Sequence, residues 1–452
     1  MIEYKIDKVI LHPLSIKALK SGHPHITKDQ YSEKFPSKSL FLYGISANAN
    51  KDQHPICLFL HDPEHKKIKG RVWSWLCANT GANTGANTAI DFLTELNNRI
   101  CSSFEKRIKL NISNERENFY LIFAEADQIP GVFVIHLGEH ILIQIYCFFW
   151  RSFENKFLEL LKQNLKKIFP NKTFHFHLKY REQNKGNKGN NSLSVNAITP
   201  MPSPLSLPSE KFIINEFEIK YQIDISNLSD IGLYTDMASI RKRLIPYLKL
   251  SKNLLNLFCY TGAFSLLALK HLVKQVTSVD LSAKYLQLLD ENYQLNKTNI
   301  NTQNFDNKNF DSQNCENQNT KHTHVIINQS VSHMITHALK KQNHYYDFVI
   351  IDPPSCSNDK NKTSSAMQMY KELLPNIIKL IANDGYLLMF INNHQISFND
   401  FKTKISIILK ALNSINTHIV EEFRLSQDCP TLKNFPEGDY IKGLLLQIKE
   451  RR

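Results

Sequence analysis

The feature that most constrains this fold is a pair of short apolar segments, each of which ends in a polar loop. The first covers residues 254–258 and leads into a loop that contains Gly262, and the second covers residues 346–351 and ends at Asp352. Continuous apolar runs of this length are typical of strands that are buried on both faces of a parallel sheet. Since parallel neighbours need a crossover connection, the two segments predict an α/β architecture.

The same alternation continues towards the end of the sequence. Strands and helices take turns from residue 254 onward, which predicts a mostly parallel, doubly wound sheet in a domain covering residues 211–452. The predicted strands are 254–258, 275–279, 324–327, 346–351, 385–391, 418–424 and 440–448, and the predicted helices are 263–272, 283–295, 331–341, 366–382 and 398–412.

Two acidic residues in this pattern indicate a nucleoside-containing cofactor and a reaction centre. Gly262 opens a helix whose free N–H groups can face a ligand. Asp280 ends the next strand, close to the ~20-residue spacing at which an acid binds a ribose diol in nucleotide-binding α/β folds. Alternatively, Asp280 caps the helix that begins near Ala283. Asp352 ends another strand and is followed by two prolines, which stiffen the loop at the same sheet edge.

The first 180 residues predict two smaller domains. Short apolar runs predict a small β domain over residues 1–76, and a mixture of helices and strands predicts an α+β middle domain over residues 89–180. The apolar runs of the first domain are 8–11, 40–43, 56–60 and 71–75. The predicted elements of the second are helices 89–108 and 153–168 and strands 119–124, 131–136, 141–149 and 173–178.

Three polar stretches predict segments without regular structure. Residues 78–88 form a short tandem repeat of Gly, Asn and Thr that suits a turn-rich surface loop. Residues 181–210 are rich in Gly, Asn, Ser and Pro, as a flexible linker would be. Residues 296–323 are packed with Asn, Gln, Asp and Lys, which predicts a disordered insertion in the C-terminal domain.

The charge of the chain favours an acidic partner. The net charge is +13 and the isoelectric point about 9.1, and nucleic acid is the commonest partner of proteins with such a balance. The alternative is a soluble protein that is merely basic. The longest apolar run, residues 141–150, is far shorter than the ~20 residues that span a bilayer, so no membrane segment is expected and the run is interpreted as a buried strand.

Cysteine spacing and the N-terminus predict a cytoplasmic protein without a structural metal. The eight cysteines form no CxxC pair and no cluster with histidines of the kind that holds zinc. The first residues lead into alternating positions rather than the apolar core of a secretory signal.

Four motifs in order resemble one family. Residues 119–144 resemble its "ESDGLPG" segment, residues 232–236 its "GYYLDQR" lead-in, residues 256–262 its "NxFSYTG" cofactor motif, and residues 435–443 its "YPEGxYLKG" ending. The chain is thereby similar to class I S-adenosylmethionine-dependent methyltransferases of large-subunit ribosomal RNA, in the group that carries a PUA domain. The resemblance implies a PUA-like domain at 1–76 and a Rossmann-like methyltransferase domain at 211–452.

The resemblance also implies a cofactor site for S-adenosyl-L-methionine. The glycine loop would face the methionine carboxylate, Asp280 would accept both ribose hydroxyls, and Asp236 and Arg241 could orient the methionine or shape the pocket. Ser330 stands where the family has an acid that binds adenine, so Gln329 or Ser330 would bind adenine through neutral groups. The implied cofactor-binding residues are Asp236, Asn256, Phe258, Tyr260, Thr261, Gly262, Asp280, Leu281, Gln329, Ser330 and Asp352.

The methyl acceptor stays open between a ring carbon and a nitrogen. Formation of 5-methylcytosine needs a cysteine thiolate that attacks the ring, and relatives with that chemistry carry the cysteine at the position of Asn392. The loop around Asn392 looks more like that of relatives that make 7-methylguanine. Cys356 replaces an aromatic residue of the family and is either a relocated nucleophile or a small apolar filler. The candidate catalytic residues are Asp352, Pro353, Pro354, Cys356 and Asn392, with guanine nitrogen slightly favoured.

The sequence therefore predicts a cytoplasmic methyltransferase that acts on large-subunit ribosomal RNA. The basic run Arg241, Lys242 and Arg243 supplies candidate contacts to RNA phosphates, or a solvated helix face. One alternative is a catalytically silent RNA-binding factor in ribosome assembly, and another is a methyltransferase that acts on a protein or a small molecule.

Overall fold

The structure is a computed structural model, and the residues it describes form two compact units. One unit is Met1–Asn111 with Tyr120–Phe212, and the other is Ile112–Phe119 with Ile213–Arg452. The described residues are 6–27, 39–46, 55–63, 65, 67–76, 92–180, 211–226, 230–298, 323–340, 345–359, 362–412 and 415–451. The predicted loop at 78–88, the linker at 181–210 and most of the predicted insertion at 296–323 lie outside them.

The first unit contains a five-stranded sheet at its N-terminal end. Its strands follow the order β1-β3-β4-β5-β2, and the β1–β3 pair is parallel while the others are antiparallel. Each predicted apolar run corresponds to one strand. The helix at Pro13–Lys20 was not predicted, because so short a segment shows little periodicity. The elements are β1 (Ile6–Ile10), α1 (Pro13–Lys20), β2 (His25–Ile26), β3 (Phe41–Ile45), β4 (Cys57–His61) and β5 (Gly70–Trp75).

A four-stranded sheet completes the first unit, in the order β6-β7-β8-β9. The last two strands are parallel, so the helix α3 forms the crossover between them. These elements agree with the predicted α+β segment, apart from one strand end. They are α2 (Phe92–Lys109), β6 (Asn118–Phe123), β7 (Val132–Leu137), β8 (His140–Ile145), α3 (Glu154–Ile168) and β9 (His175–Tyr180).

The apolar run at 141–150 is not a single strand, so that prediction was wrong. β8 ends at Ile145, and Phe148–Phe153 forms a 3-10 helix. Its rings pack in the core: Phe149 contacts Phe92 edge-on, and the Trp150 indole N–H donates to the Pro130 carbonyl at 2.8 Å. A buried apolar run of this length is compatible with a strand or with a helix. Its tertiary packing selects a strand up to Ile145 and a 3-10 helix from Phe148.

The segment that resembles "ESDGLPG" joins elements of the first unit through buried charges. The carboxylate of Glu125 accepts from Arg71 of β5 at 2.6 Å, and that of Asp127 accepts two hydrogen bonds from Arg107 of α2. Gly131 has a φ of +72°, and a Cβ there would lie 2.8 Å from the Cys147 side chain. The motif therefore has a structural role. Whether residues 1–76 and 89–180 are separate domains, and whether the first is PUA-like, stay predictions.

The second unit contains the predicted Rossmann-like domain. The seven-stranded sheet has the order β14-β13-β12-β15-β18-β20-β19, and two hairpins accompany it. The elements are β10 (Lys211–Glu216), β11 (Ile219–Asp224), α4 (Ala238–Leu248), β12 (Asn253–Leu257), α5 (Ala263–Lys270), β13 (Gln275–Asp280), α6 (Ala283–Asn296), β14 (Thr323–Asn328), α7 (Val331–Lys340), β15 (Tyr346–Ile351), β16 (Cys356–Asp359), β17 (Lys362–Ser365), α8 (Ala366–Ile377), β18 (Ile381–Asn392), α9 (Phe398–Lys410), β19 (Ile415–Phe423) and β20 (Ile441–Arg451).

The topology of this sheet fixes where a ligand can bind. The five strands from β14 to β18 are mutually parallel. β20 pairs antiparallel with β18, and β19 pairs antiparallel with β20, so β19 runs in the same direction as the five. The chain runs outward from β12 through β13 to β14, and then returns to β15 on the other side of β12. Ligands of open α/β sheets bind at such a reversal, outside the carboxyl ends of the strands.

Two boundaries in this unit differ from the prediction. The predicted helix 366–382 ends at Ile377, and β18 begins at Ile381 rather than at 385. Ile381 pairs with Tyr346, and a register shift follows before Phe348 pairs with Tyr386. Residues 381–384 thus extend the strand because β15 offers a partner, which no local pattern reveals. The β10–β11 and β16–β17 hairpins were not predicted.

Replacing Asp127 with asparagine tests the buried charges of the first unit. The change removes the carboxylate that accepts two hydrogen bonds from the buried guanidinium of Arg107, so we expect the free energy of unfolding to fall by about 3–5 kcal/mol. Urea unfolding followed by circular dichroism measures it. Glu159→Gln is the control, because it breaks an exposed pair with Lys156 that contributes about 0–1 kcal/mol. Equal effects of the two substitutions would contradict the assignment.

Candidate active site

A cleft of about 390 Å³ lies at the carboxyl edge of the central strands in the second unit. It is bounded by the loop after β12, the end of β15 and the segment that leads into α4. The cleft brings together the predicted residues Asn256, Phe258, Tyr260 and Asp352 with several that the sequence did not indicate. Its lining residues are Leu233, Tyr234, Met237, Arg241, Asn256, Phe258, Cys259, Tyr260, Ala263, Phe264 and Asp352.

The loop between β12 and α5 is tightly folded. Phe258, Tyr260 and Gly262 all have positive φ values, of 58°, 53° and 79°. A Cβ on Gly262 would lie 2.5 Å from the Leu289 side chain of α6, so only glycine fits there. The loop is held by hydrogen bonds from Cys259 N–H to Val279 and from Gly262 N–H to Cys259. The loop therefore packs closely against α6, and its residues Phe258, Cys259 and Tyr260 line the cleft.

Asp280 lies at the end of β13, beside this loop. Its carboxylate accepts from the Tyr260 N–H at 3.0 Å and from the Ser282 N–H at 2.8 Å. The cap of α6 is Ser282, whose hydroxyl accepts from Tyr285 N–H, so the interpretation of Asp280 as the helix cap was wrong. A carboxylate has about four acceptor positions, which leaves capacity for two hydroxyl donors. Burial raises the pKa of Asp280.

Three tyrosines line up along the mouth of the cleft. The Tyr260 ring lies between Tyr234, with ring centres 5.0 Å apart, and Tyr285, with ring centres 4.7 Å apart. The hydroxyls of Tyr260 and Tyr285 both donate to the carboxylate of Asp230. Asp230 was not predicted as a site residue, because its contacts are made across some 30 and 55 residues of the chain.

Asp352 is placed at the floor of the cleft by its strand. Its N–H bonds the Leu257 carbonyl of β12, and the Tyr370 hydroxyl donates to Ile351 and Phe390, which ties the ends of β15 and β18 together. Among the described residues, the Asp352 carboxylate has no hydrogen-bond partner. Burial, and then the negative charge of Asp236, raises the pKa of Asp352 to about 7.

Asp236 is held by the C-terminal motif. The Tyr440 hydroxyl donates to one of its oxygens at 2.6 Å, and the other oxygen is buried without a hydrogen-bond partner in the described part of the chain. Lys442, from the same motif, donates to the carbonyls of Asn393 and Asp439. The motif was recognised in the sequence, but its link to Asp236 was not.

Several predicted cofactor residues are engaged within the protein. The Thr261 hydroxyl donates to the Gly232 carbonyl at 2.6 Å, and the Asn256 amide donates to Ser265 at 2.9 Å. The Ser330 hydroxyl accepts from the His333 N–H at the start of α7, and the side chain of Gln329 contacts the His333 ring. Leu281 is 69% exposed beside Asp280. Their cofactor roles stay predictions.

The candidate catalytic residues beyond Asp352 surround the same strand ends. Pro353 is buried, Pro354 is exposed, and the Ser355 hydroxyl donates to the Asn392 carbonyl at 2.6 Å. Cys356 begins β16, but its side chain lies outside the described part of the structure. Asn392 ends β18 and is exposed. The loops after β15 and β18 therefore meet, as their parallel register requires.

The prediction that Arg241 contacts RNA phosphate was wrong. Arg241 is 1% exposed, and its guanidinium binds the buried carboxylate of Glu216 and the Tyr234 carbonyl. Its neighbours are exposed but engaged with acids: Lys242 binds Glu115, and Arg243 binds Glu421. A run of cations on a helix does not reveal which one faces inward.

Comparison with known proteins agrees with this geometry. A model of S-adenosylmethionine-dependent methyltransferases matches residues 205–333. The putative ribosomal RNA large subunit methyltransferase YwbD of Bacillus subtilis is 28% identical over 78% of this chain and 80% of its own. Ribosomal RNA large subunit methyltransferase I of Erwinia tasmaniensis is 24% identical, over 84% of this chain and 85% of its own. A crystal structure of the putative methyltransferase SMU.776 with bound SAH has a TM-score of 0.69 at 18% identity, covering 97% of this chain and 99% of that one, which shows the fold.

The fold, the glycine loop and the family model together define an S-adenosylmethionine-dependent methyltransferase. Curated proteins named ribosomal RNA large subunit methyltransferases are similar to this chain over most of its length, at 24–28% identity. Its cofactor is S-adenosylmethionine. Among the described residues, no helix is long and apolar enough to cross a membrane. The same part of the chain holds no group of three His, Cys, Asp or Glu arranged for a metal ion.

The raised pKa of Asp352 predicts a pH-dependent stability of the cofactor-free protein. Its carboxyl stays protonated in the folded state up to about pH 7, whereas the unfolded chain loses that proton near pH 4. Folding therefore becomes less favourable as pH rises from 4 to 7, and the loss is complete above 7. We expect Asp352→Asn to gain stability over the wild type across this window. Thermal unfolding at each pH measures the difference, and a difference independent of pH would contradict the prediction.

Proposed function

We propose that the protein transfers a methyl group from S-adenosylmethionine to a base of large-subunit ribosomal RNA. The observation that carries the proposal is Asp352, an acceptor without a hydrogen-bond partner among the described residues, at the floor of a cleft beside the glycine loop. The names of the curated relatives support ribosomal RNA as the substrate. The net charge of +13 supports an acidic substrate of this kind.

The cofactor site we propose follows the carboxyl edge of the sheet. Asp280 accepts the ribose hydroxyls through its remaining lone pairs, and the exposed side chain of Leu281 covers one face of the adenine. The backbone of the loop at Gly262 faces the methionine carboxylate at the start of α5. Asp236 orients the methionine, supported by Tyr440.

The acceptor we favour is a guanine nitrogen rather than carbon five of cytosine. Carbon methylation needs a thiolate, and burial raises the pKa of Cys259, the cysteine that lines the cleft, well above the usual range for a thiol. Cytosine chemistry would thus depend on Cys356. Methylation of a guanine nitrogen that bears hydrogen, N1 or the exocyclic amino group, needs only an acceptor for the proton that the nitrogen loses, and a carboxylate with a pKa of about 7 suits that task. Methylation at N7, which bears no hydrogen, would release no proton and would not depend on Asp352 in this way.

In this mechanism the chain's own groups position the base and receive the proton. The bound cofactor supplies the methyl group from its sulfonium. Asp352 accepts the N–H proton of the base as the new N–C bond forms. The sulfonium loses its positive charge with the methyl group, and the proton that the base releases neutralises the carboxylate. Asn392 and the loop held by Ser355 lie where they can contact the base edge.

The first unit supplies a surface suited to RNA. Residues 151–180, which form α3 and β9 with their connections, contain seven Lys or Arg and two Glu. Arg151 lies over the rings of Phe148 and Tyr180, and Lys162 lies over Phe176. These cations are exposed, and they combine phosphate-binding charge with half-buried rings. We propose this face in place of the Arg241 run as a contact for the RNA backbone.

Methyl transfer to isolated RNA tests the function. The experiment uses labelled S-adenosylmethionine and ribosomal RNA from a strain that lacks this gene, followed by nucleoside analysis. We expect labelled methylguanosine with the wild type and at least tenfold slower transfer with Asp352→Asn, because the proton acceptor is lost. Labelled 5-methylcytidine that disappears in Cys356→Ser would contradict the nitrogen chemistry. RNA binding without label would favour a silent assembly factor instead.

Substitution of Asp280 tests the ribose contact. Asp280→Asn removes the negative charge of the carboxylate that would accept hydrogen bonds from the ribose diol. Hydrogen bonds to a charged group contribute about 1.5–3 kcal/mol. The dissociation constant for S-adenosylmethionine should therefore rise about 10- to 150-fold, as measured by calorimetry. Asp290→Asn, in α6 where its carboxylate accepts from the Gln294 amide at the helix surface, is the control and should change it less than about twofold. An unchanged dissociation constant in Asp280→Asn would contradict the proposed contact between Asp280 and the ribose.

A further inference from the structure

We propose that the ring of Tyr234 is the platform on which the target nucleobase stacks for methyl transfer. The inference rests on the proposed function, since it needs a base as the acceptor. A base that reacts with a buried cofactor must leave its helix, and it loses the stacking that held it there. An enzyme of this kind therefore needs a ring surface beside its catalytic group. The chain offers Tyr234 for that role.

Tyr234 is the exposed aromatic side chain of the cleft. It is 51% exposed, whereas the other rings of the lining, Phe258, Tyr260 and Phe264, are half-buried or buried. The segment that follows Asp352 carries no aromatic ring before β16: it reads Pro353, Pro354, Ser355 and then Cys356. Among the described lining residues, Tyr234 thus provides the accessible ring face.

The position of Tyr234 in the row of three tyrosines places it at the catalytic end. Tyr234 and Asp352 both line the cleft, and the charge of Asp352 acts on the Tyr234 hydroxyl, whereas the charge of Asp280 acts on Tyr285. Tyr260 lies between the two rings. The row therefore runs from the proposed proton acceptor, at Tyr234, to the proposed ribose site, at Tyr285. A base that stacks on Tyr234 comes within reach of Asp352 without displacing the adenosine.

The backbone of Tyr234 is fixed, as a stacking platform requires. Its carbonyl accepts from the buried guanidinium of Arg241 at 2.9 Å and from the Met237 N–H at 3.3 Å. Its ring is supported by Tyr260, which is itself held through its hydroxyl and through its N–H to Asp280. The tyrosine thus loses little conformational freedom when a base binds, and more of the stacking energy appears as affinity.

Substitution of the ring separates this role from a cofactor contact. Stacking on an aromatic residue is worth about 1–3 kcal/mol per base, so Tyr234→Ala should lower kcat/KM for the RNA about 5- to 150-fold. Tyr234→Phe keeps the ring and should retain activity within about threefold. Affinity for S-adenosylmethionine should stay within about twofold in both variants. Tyr345→Ala is the matched control: it is 50% exposed but precedes β15, at the opposite edge of the sheet.

Three results would overturn the proposal. Equal losses in Tyr234→Phe and Tyr234→Ala would assign the role to the hydroxyl rather than the ring. A fall in cofactor affinity that matches the fall in kcat/KM would make Tyr234 a cofactor contact. If Tyr234→Ala is as active as the wild type, the stacking role of Tyr234 is contradicted and the proposed function is unaffected. A wild type that methylates no ribosomal RNA would overturn the proposed function itself, and the platform with it.

Discussion

The buried ion pair between Arg241 and Glu216 is the interaction on which the catalytic unit depends. Both side chains are 1% exposed, and each makes further bonds that connect distant segments. Arg241 holds the Tyr234 carbonyl, and Glu216 also accepts from the amide of Asn118. A second buried pair joins Arg116 to Asp428. Because an unpaired charge in these positions would cost several kcal/mol, the segments can be buried only together.

This network explains why residues 112–119 belong with the catalytic unit although they lie between elements of the other. Arg116 and Asn118 supply one side of it, the β10–β11 hairpin supplies Glu216, and the start of α4 is positioned by Arg241. Tyr234 and Asp236, just before α4, are thereby fixed against the glycine loop. The cleft is thus built by elements that are remote in sequence and that share buried charges.

Acidic and basic side chains are distributed differently in the two units. Asp230, Asp236, Asp280 and Asp352 are gathered at the carboxyl edge of the sheet, where a cationic sulfonium cofactor is used. The chain as a whole is strongly basic, and residues 151–180 of the other unit carry much of that excess. Local carboxylates therefore suit the cofactor, while the wider surface suits a polyanion.

The sequence alone determined the glycine loop, the acids at strand ends, and the order from residue 254 onward of the helices and of the strands of the seven-stranded sheet, but not the β16–β17 hairpin. These features are local, because a buried parallel strand and the loop after it leave their pattern in a few consecutive residues. Only the tertiary structure decided which charges are buried and which strands extend. Arg241 faces inward to meet Glu216, and residues 381–384 join β18 to pair with β15. Asp230 binds Tyr260 of the glycine loop and Tyr285 of α6. Each of these depends on a partner far away in the chain, which no local pattern specifies.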